Sequence, residues 1–142
     1  MQESRSLVAD LINADAEDII FTSGATESNN LALIGLSEYL KSNGKTHIVS
    51  SATEHKAILD TLKYIETQGH SVTLVSPNKD GLLAIDDVQQ AIQPDTGLVS
   101  VMHVNNETGV IQDIGKIGAL AHKHGAAFHV DAAQSAGNSP LI

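Results

Sequence analysis

His47-Ile48-Val49-Ser50-Ser51 leads through Ala52-Thr53-Glu54 into the longer amphipathic stretch His55–Gln68, and Gly69 separates that stretch from Ser71-Val72-Thr73-Leu74-Val75-Ser76. The two short runs are rich in β-branched residues and read as strands, with a helix between them. A strand, a crossover helix and a second strand imply a parallel pair, because a parallel connection needs a dozen or more residues to return. The same alternation continues in both directions. Further strands are predicted at Ile19–Ser23, Leu98–Val104 and Ala126–Val130, and further helices at Ser4–Leu11, Glu27–Lys41, Ile85–Ile92 and Ile114–His124. The pattern predicts an α/β fold: three layers, with a mostly parallel sheet of about five strands, flanking helices and right-handed crossovers. Gly44, Gly69 and Gly125 follow the last periodic residue of three helices, where a left-handed cap costs glycine least, and Asn78-Lys79-Asp80-Gly81 reads as a turn. No linker, internal repeat or low-complexity tract interrupts the pattern, so residues 1–142 are expected to form one domain.

Composition excludes several classes of function. Eight basic against 17 acidic residues give a net charge of −9 with neutral histidines, which opposes binding to a phosphate backbone. Aromatic residues make up 3% of the chain, too few for a base-stacking surface. No nucleic-acid partner is expected. No apolar run approaches the ~20 residues of a membrane span, so no membrane partner is expected either. Met1-Gln2-Glu3-Ser4-Arg5 lacks the basic and apolar regions of a signal peptide. Cysteine is absent, which removes disulfide and Cys-zinc readings and fits a cytoplasmic location. Seven histidines raise a metal reading, but H-E-x-x-H is missing, and His122 and His124 stand two apart on a helix and face different sides. No metal site is expected.

The polar residues that packing explains poorly fall after the predicted strands. Gly24-Ala25-Thr26 follows the first, Thr53-Glu54-His55 the second, Asn105-Asn106 the fourth, and Asp131 with Gln134 the fifth. In open parallel sheets ligands bind beyond the carboxyl ends of the strands, so these four groups share one rim. Gly24-Ala25-Thr26 opens a helix, whose free amides and positive end suit an anion; it reads equally as an ordinary loop with Thr26 as N-cap. It is neither a G-x-G-x-x-G fingerprint nor a P-loop. His55 opens the next helix, where a neutral ring is expected; it could stack on an aromatic ligand and exchange protons, or be a surface histidine after a Thr53 cap. Asp131 could pair with a protonated ring nitrogen, while Asp-x-x-Gln is also the spacing of a capping box. Asn106 could donate to a ligand oxygen, or Asn105-Asn106 could simply turn the chain.

Four stretches together carry a resemblance: Phe21-Thr22-Ser23-Gly24-Ala25-Thr26-Glu27-Ser28-Asn29-Asn30, Thr53-Glu54-His55-Lys56, His103-Val104-Asn105-Asn106-Glu107-Thr108-Gly109-Val110, and His129-Val130-Asp131-Ala132-Ala133-Gln134-Ser135. In them the chain resembles the cysteine desulfurases among the class V aminotransferase-like, fold-type I enzymes of pyridoxal phosphate (PLP). The iron–sulfur-cluster and tRNA-thiolation branch is the nearest match. The likeness runs from Leu7–Leu11 to Gly137-Asn138-Ser139-Pro140, with Ala133 where threonine is common. It implies part of a PLP-binding large domain. It implies that Ala25 and Thr26 bind the cofactor phosphate, that His55 stacks on the ring as the candidate catalytic residue, and that Asp131 pairs with the pyridine nitrogen. Asn106 and Gln134 would hydrogen-bond the ring oxygen. The implied reaction takes L-cysteine to alanine and an enzyme-bound persulfide, with sulfur-acceptor scaffold proteins as partners.

In the family the Schiff-base lysine lies in a Ser-x-His-Lys pattern and the sulfur-accepting cysteine on a mobile loop, both further along the chain. Lys41, Lys45, Lys56, Lys63, Lys79, Lys116 and Lys123 do not fit that pattern, and there is no cysteine, so residues 1–142 alone are expected to be inactive. Two other readings stand beside this one: a non-catalytic module binding phosphorylated ligands or a partner through the same rim, and a segment of a related enzyme such as a selenocysteine lyase. In the family two later strands separate the first strand here from the fifth. Without them Ile19–Ser23 could dock on the fifth strand, swap or fray; self-association is expected, with Gly24–Thr26 displaced from Asp131 if the first strand moves.

Overall fold

In the computed structural model, residues 1–138 are described; Ser139 and Pro140, at the end of the resemblance, lie outside them. The element order is α1 (Gln2–Ile12), a 3-10 turn (Ala16–Asp18), α2 (Ala25–Ser42), β1 (His47–Ser51), α3 (Lys56–Thr67), β2 (Ser71–Val75), α4 (Ile85–Ala91), β3 (Thr96–Met102), α5 (Ile114–Lys123) and β4 (Ala127–Asp131). The strands form one parallel sheet in the order β2-β1-β3-β4.

The two central strands are buried along their whole length, as a parallel sheet covered on both faces requires. Alternation then divides their side chains. Ile48 and Leu98 pack with Leu33 of α2 and Ile58, Leu62 and Ile65 of α3, whereas Val49, Val99 and Val101 pack with Val88 of α4 and Ile117, Leu120 and Ala121 of α5. Two helices on each face make the three layers. Gly118 lets α5 lie directly on β4, since a Cβ there would come within 2.7 Å of the Phe128 ring. Gly44, Gly69 and Gly125 end their helices at φ of 74°, 97° and 73°, the left-handed geometry expected of these positions. Among the described residues no helix is long and apolar enough to cross a membrane.

One predicted strand is absent. Ile19–Ser23 forms no strand and pairs with nothing in the sheet, so among the described residues four strands are found rather than about five. Its β-branched, aromatic composition favours a pleated, half-buried surface, but a ladder also needs a neighbour ~4.8 Å away. A groove of ≈ 790 Å³, lined by Ile19 and Ile20 on one side and Val130 on the other, separates it from β4. The segment is instead tied to α1: Arg5 donates from its guanidinium to the Ile19 carbonyl and lies 5.4 Å from the centre of the Phe21 ring.

Burial separates the core from this N-terminal arm, where Leu11 is 63% exposed while Leu98 is fully buried. Leu98→Ala is expected to cost about 2–5 kcal/mol through lost burial and a residual cavity. Leu11→Ala should stay within about 0.5 kcal/mol. Urea unfolding of both variants checks the contrast.

Candidate functional site

All strands run the same way, so the segments after β1, β3 and β4 leave the sheet at one edge, and the N-terminus of α2 arrives there as well. Each segment has its own local chemistry. Gly24 is the N-cap of α2 and supplies no side-chain cap; Thr26 is inside the first turn, not the cap itself. Glu27 reaches back to accept from the Ser23 amide at 2.7 Å, and the Ser23 hydroxyl and amide together hold its carboxyl below the usual range. The first-turn amides of α2 have no acceptor inside the helix, and its first residues, Ala25 and Thr26, line the cavity at the end of the sheet.

After β1, the Thr53 amide turns onto Ser51 Oγ at 3.1 Å, and the chain enters α3 with His55, not Thr53, as N-cap. His55 Nδ1 accepts from the Ala57 amide at 3.1 Å, so a neutral ring carries its proton on Nε2. Lys56 points elsewhere: it is 84% exposed and pairs with Asp60 one turn along α3. After β3, the two asparagines divide the work. Asn105 makes the turn, its Oδ1 accepting from the amides of Glu107 and Thr108, both at 2.9 Å, and its Nδ2 donating to the Thr53 carbonyl at 3.0 Å. Asn106 is left free to line the cavity.

Asp131, at the end of β4, is 6% exposed. Its Oδ1 accepts from the Ala133 amide at 3.1 Å and its Oδ2 from Asn29 Nδ2 at 3.2 Å. The capping-box alternative is not realised: turns, not a helix, fill residues 132–138, and Asp131 bonds the amide two residues on. Each carboxylate oxygen keeps a lone pair for a further donor.

These pieces enclose a cavity of ≈ 380 Å³, within the usual range for small ligands. Ala25, Thr26, His55, Asn106, Asp131 and Gln134, all six residues singled out from the sequence, line it, with Gly24, Asn29 and Met102 among the others. Gly24–Thr26 is not displaced from Asp131 although Ile19–Ser23 is unpaired, because Asn29, one turn into α2, bonds the carboxylate. Sequence reading missed Asn29. It is buried on the α2 face that also buries Leu33 and Ser37, and a polar residue on that stripe of positions i, i+4 and i+8 was the available signal. It puts Glu54 at the rim without a role; Glu54 is a buried carboxyl whose Oε1 accepts from the Met102 amide at 2.8 Å.

Comparison with known proteins follows the same line as the geometry. The profile of the class-V aminotransferases (Aminotransferase class-V) matches residues 1–141. The chain belongs to the class-V aminotransferase family. Among curated class-V relatives, "Cysteine desulfurase IscS" of Tolumonas auensis is 55% identical over 137 residues, which is 96% of this chain and 34% of that protein. The chain thus spans about a third of the length of the curated relatives it matches. Two solved structures of the family superpose closely. DndA from Streptomyces lividans has a TM-score of 0.90 at 43% identity, covering 94% of this chain and 37% of that one. A structure described as SspA in complex with cysteine has a TM-score of 0.88 at 43% identity, covering 94% and 38%.

His129, two residues before Asp131, bonds Ser100 Oγ through Nδ1 at 2.9 Å, and burial pushes its imidazole below the usual value, the Asp131 charge offsetting this in part. A histidine whose folded pKa lies below its unfolded 6.5 binds protons first in the unfolded chain. The His129 contribution to stability is therefore expected to fall as pH drops below about 6.5. His129→Gln should flatten that slope, measured as denaturation midpoints between pH 7.5 and 5.

Proposed function

We propose that residues 1–142 are part of the cofactor-binding large domain of a PLP-dependent cysteine desulfurase, a transferase of the iron–sulfur-cluster assembly type. The observation that carries this reading is one cavity with two opposite ligand chemistries. It is lined by the uncapped first turn of a helix, which suits a phosphate, and by a buried carboxylate with spare acceptor capacity, which suits a protonated ring nitrogen. The residues present therefore fit PLP. When bound, PLP supplies an electron sink for cleavage at the substrate.

The roles of this chain's residues follow. The amides of Ala25 and Thr26 and the Thr26 hydroxyl hold the phosphate against the positive end of α2. Asp131, oriented by Asn29 and the Ala133 amide, keeps the proton on the ring nitrogen. His55 covers a ring face and exchanges protons at Nε2, since Nδ1 is occupied by the Ala57 amide. Asn106 and Gln134 donate to the ring oxygen. L-cysteine is the substrate by this reading, in keeping with the cysteine in the SspA complex, and scaffold proteins accept the sulfur. The sulfur-accepting thiol and the cofactor-bearing lysine are not among residues 1–142. A cytoplasmic setting fits such a protein.

A hybrid tests the assignment. Residues 1–138 should replace the matching segment of the Tolumonas auensis relative and retain alanine release from L-cysteine within about tenfold of that parent, a barrier change of ~1.4 kcal/mol. Asp131→Ala in the hybrid should lower it ~100-fold or more, the scale of losing a site's main electrostatic partner. The 142-residue chain alone should release neither alanine nor sulfide. A hybrid that binds PLP yet is inactive, or one indifferent to Asp131, would overturn the reading.

We also infer self-association of this chain. Leu7, Leu11, Ile20 and Phe21 are 66%, 63%, 67% and 46% exposed, and Ile20 lines the apolar groove that flanks the open edge of β4. Light scattering over a concentration series is expected to show a rising average mass; a constant monomer mass would refute it.

A further inference from the structure

Glu54 is the buried charged side chain that the proposed chemistry leaves unused. It is 7% exposed, and no Lys or Arg pairs with it among the described residues. Its place follows from strand length. β3 runs on to Met102, but its pairing with β1 stops at Ser50 and Ser100. The Met102 amide, facing the β1 side, thus meets no strand there, and Glu54 Oε1 accepts from it at 2.8 Å in place of a ladder carbonyl. The next amide, of His103, faces the other way and donates to the Asp131 carbonyl at 3.0 Å. The end of β3 is thereby clamped between Glu54 and Asp131, and Met102 and Asp131 both line the cavity.

Glu54 Oε2 is buried with no hydrogen-bond partner. An ionised carboxylate would leave that oxygen unsolvated, at a cost of several kcal/mol. The titratable groups on neighbouring segments do not offset this. His103 turns its Nδ1 to Ser135 Oγ at 2.9 Å, His55 turns its Nδ1 to the Ala57 amide, and Asp131 is itself an acid.

We propose that Glu54 is a positioning residue held as the neutral acid, which fixes the end of β3 without placing a second negative charge beside Asp131. Burial first, and the Asp131 charge in addition, push the Glu54 carboxyl up to about 8, against the lowering by the Met102 amide. An anion at Glu54 would set two like charges across one strand end, each disfavouring the ionised form of the other. The inference rests on the reading of Asp131 as the residue facing the ligand's cationic end. Its test uses the chain without PLP, so that it can fail independently of that reading.

Carbon-13 NMR of the side-chain carboxyls, followed from pH 4 to 10, is expected to place the Glu54 midpoint near 8 instead of near 4.5, and to show a step in the Asp131 signal at the same pH. Glu54→Gln keeps an acceptor for the Met102 amide. It should retain slow hydrogen exchange there while abolishing the Asp131 step, whereas Glu54→Leu should lose the protection as well. Stability has a defined sign too. A carboxyl raised in the folded state loses stability as pH climbs from about 4.5 to 8, and Glu54→Gln should remove that decline. A Glu54 midpoint in the ordinary carboxyl range, or an Asp131 signal with no step at the Glu54 midpoint, would overturn the proposal.

Discussion

The pairing of β1 with β3 is the constraint on which the rest is built. Both strands are buried on both faces, so they need helices above and below, and they can be joined in parallel only through crossovers. That requirement fixes the direction of every strand. The segments after β1, β3 and β4 then leave the sheet at the same edge, and α2 meets them with its N-terminus. Hydrophobic burial thus helps place the polar residues: with Ile48, Val49, Leu98 and Val99 buried in parallel strands, the segments that follow converge at one edge.

Within that frame Asp131 ties the site together. Its carboxylate joins β4 to α2 through Asn29 and stiffens its own turn through Ala133. A buried carboxylate supported by hydrogen bonds from one side chain and one amide is oriented before any ligand arrives. The Asn29 bond also explains why the first turn of α2 keeps its place although the segment before it has no strand partner. The open edge of β4 and the adjoining apolar groove are the other consequence of that missing pairing, and they concern association more than chemistry.

Much of this was legible in the residue order. Gly44, Gly69 and Gly125 marked helix ends because left-handed backbone there favours glycine, and the alternation of β-branched runs with amphipathic stretches marked parallel strands and crossovers. The polar groups after the strands marked the rim, since ligands of open parallel sheets bind beyond the carboxyl ends of the strands. Where two local readings competed, sequence left them open. Thr26 reads as an N-cap or as an anion donor, His55 as a ligand-facing ring or as a surface residue after a Thr53 cap, and Asn106 as a ligand donor or as part of a turn with Asn105. Local spacing permits each of these; hydrogen bonds make His55 itself the cap of α3 and give the turn to Asn105.

The sequence by itself determined the α/β class, the parallel direction of the strands and the set of residues that meet at one edge, because burial periodicity and backbone preference are local properties. Tertiary structure alone decided the rest. Ile19–Ser23 has the composition of a strand but pairs with no other, and pairing depends on what lies alongside, not on the segment itself. Asn29 and Asp131 stand 102 positions apart, and Glu54 and Met102 stand 48 apart. No periodicity links residues at such separations. Their contacts, and the buried acid they create beside the cavity, exist only once the sheet has brought its strand ends together.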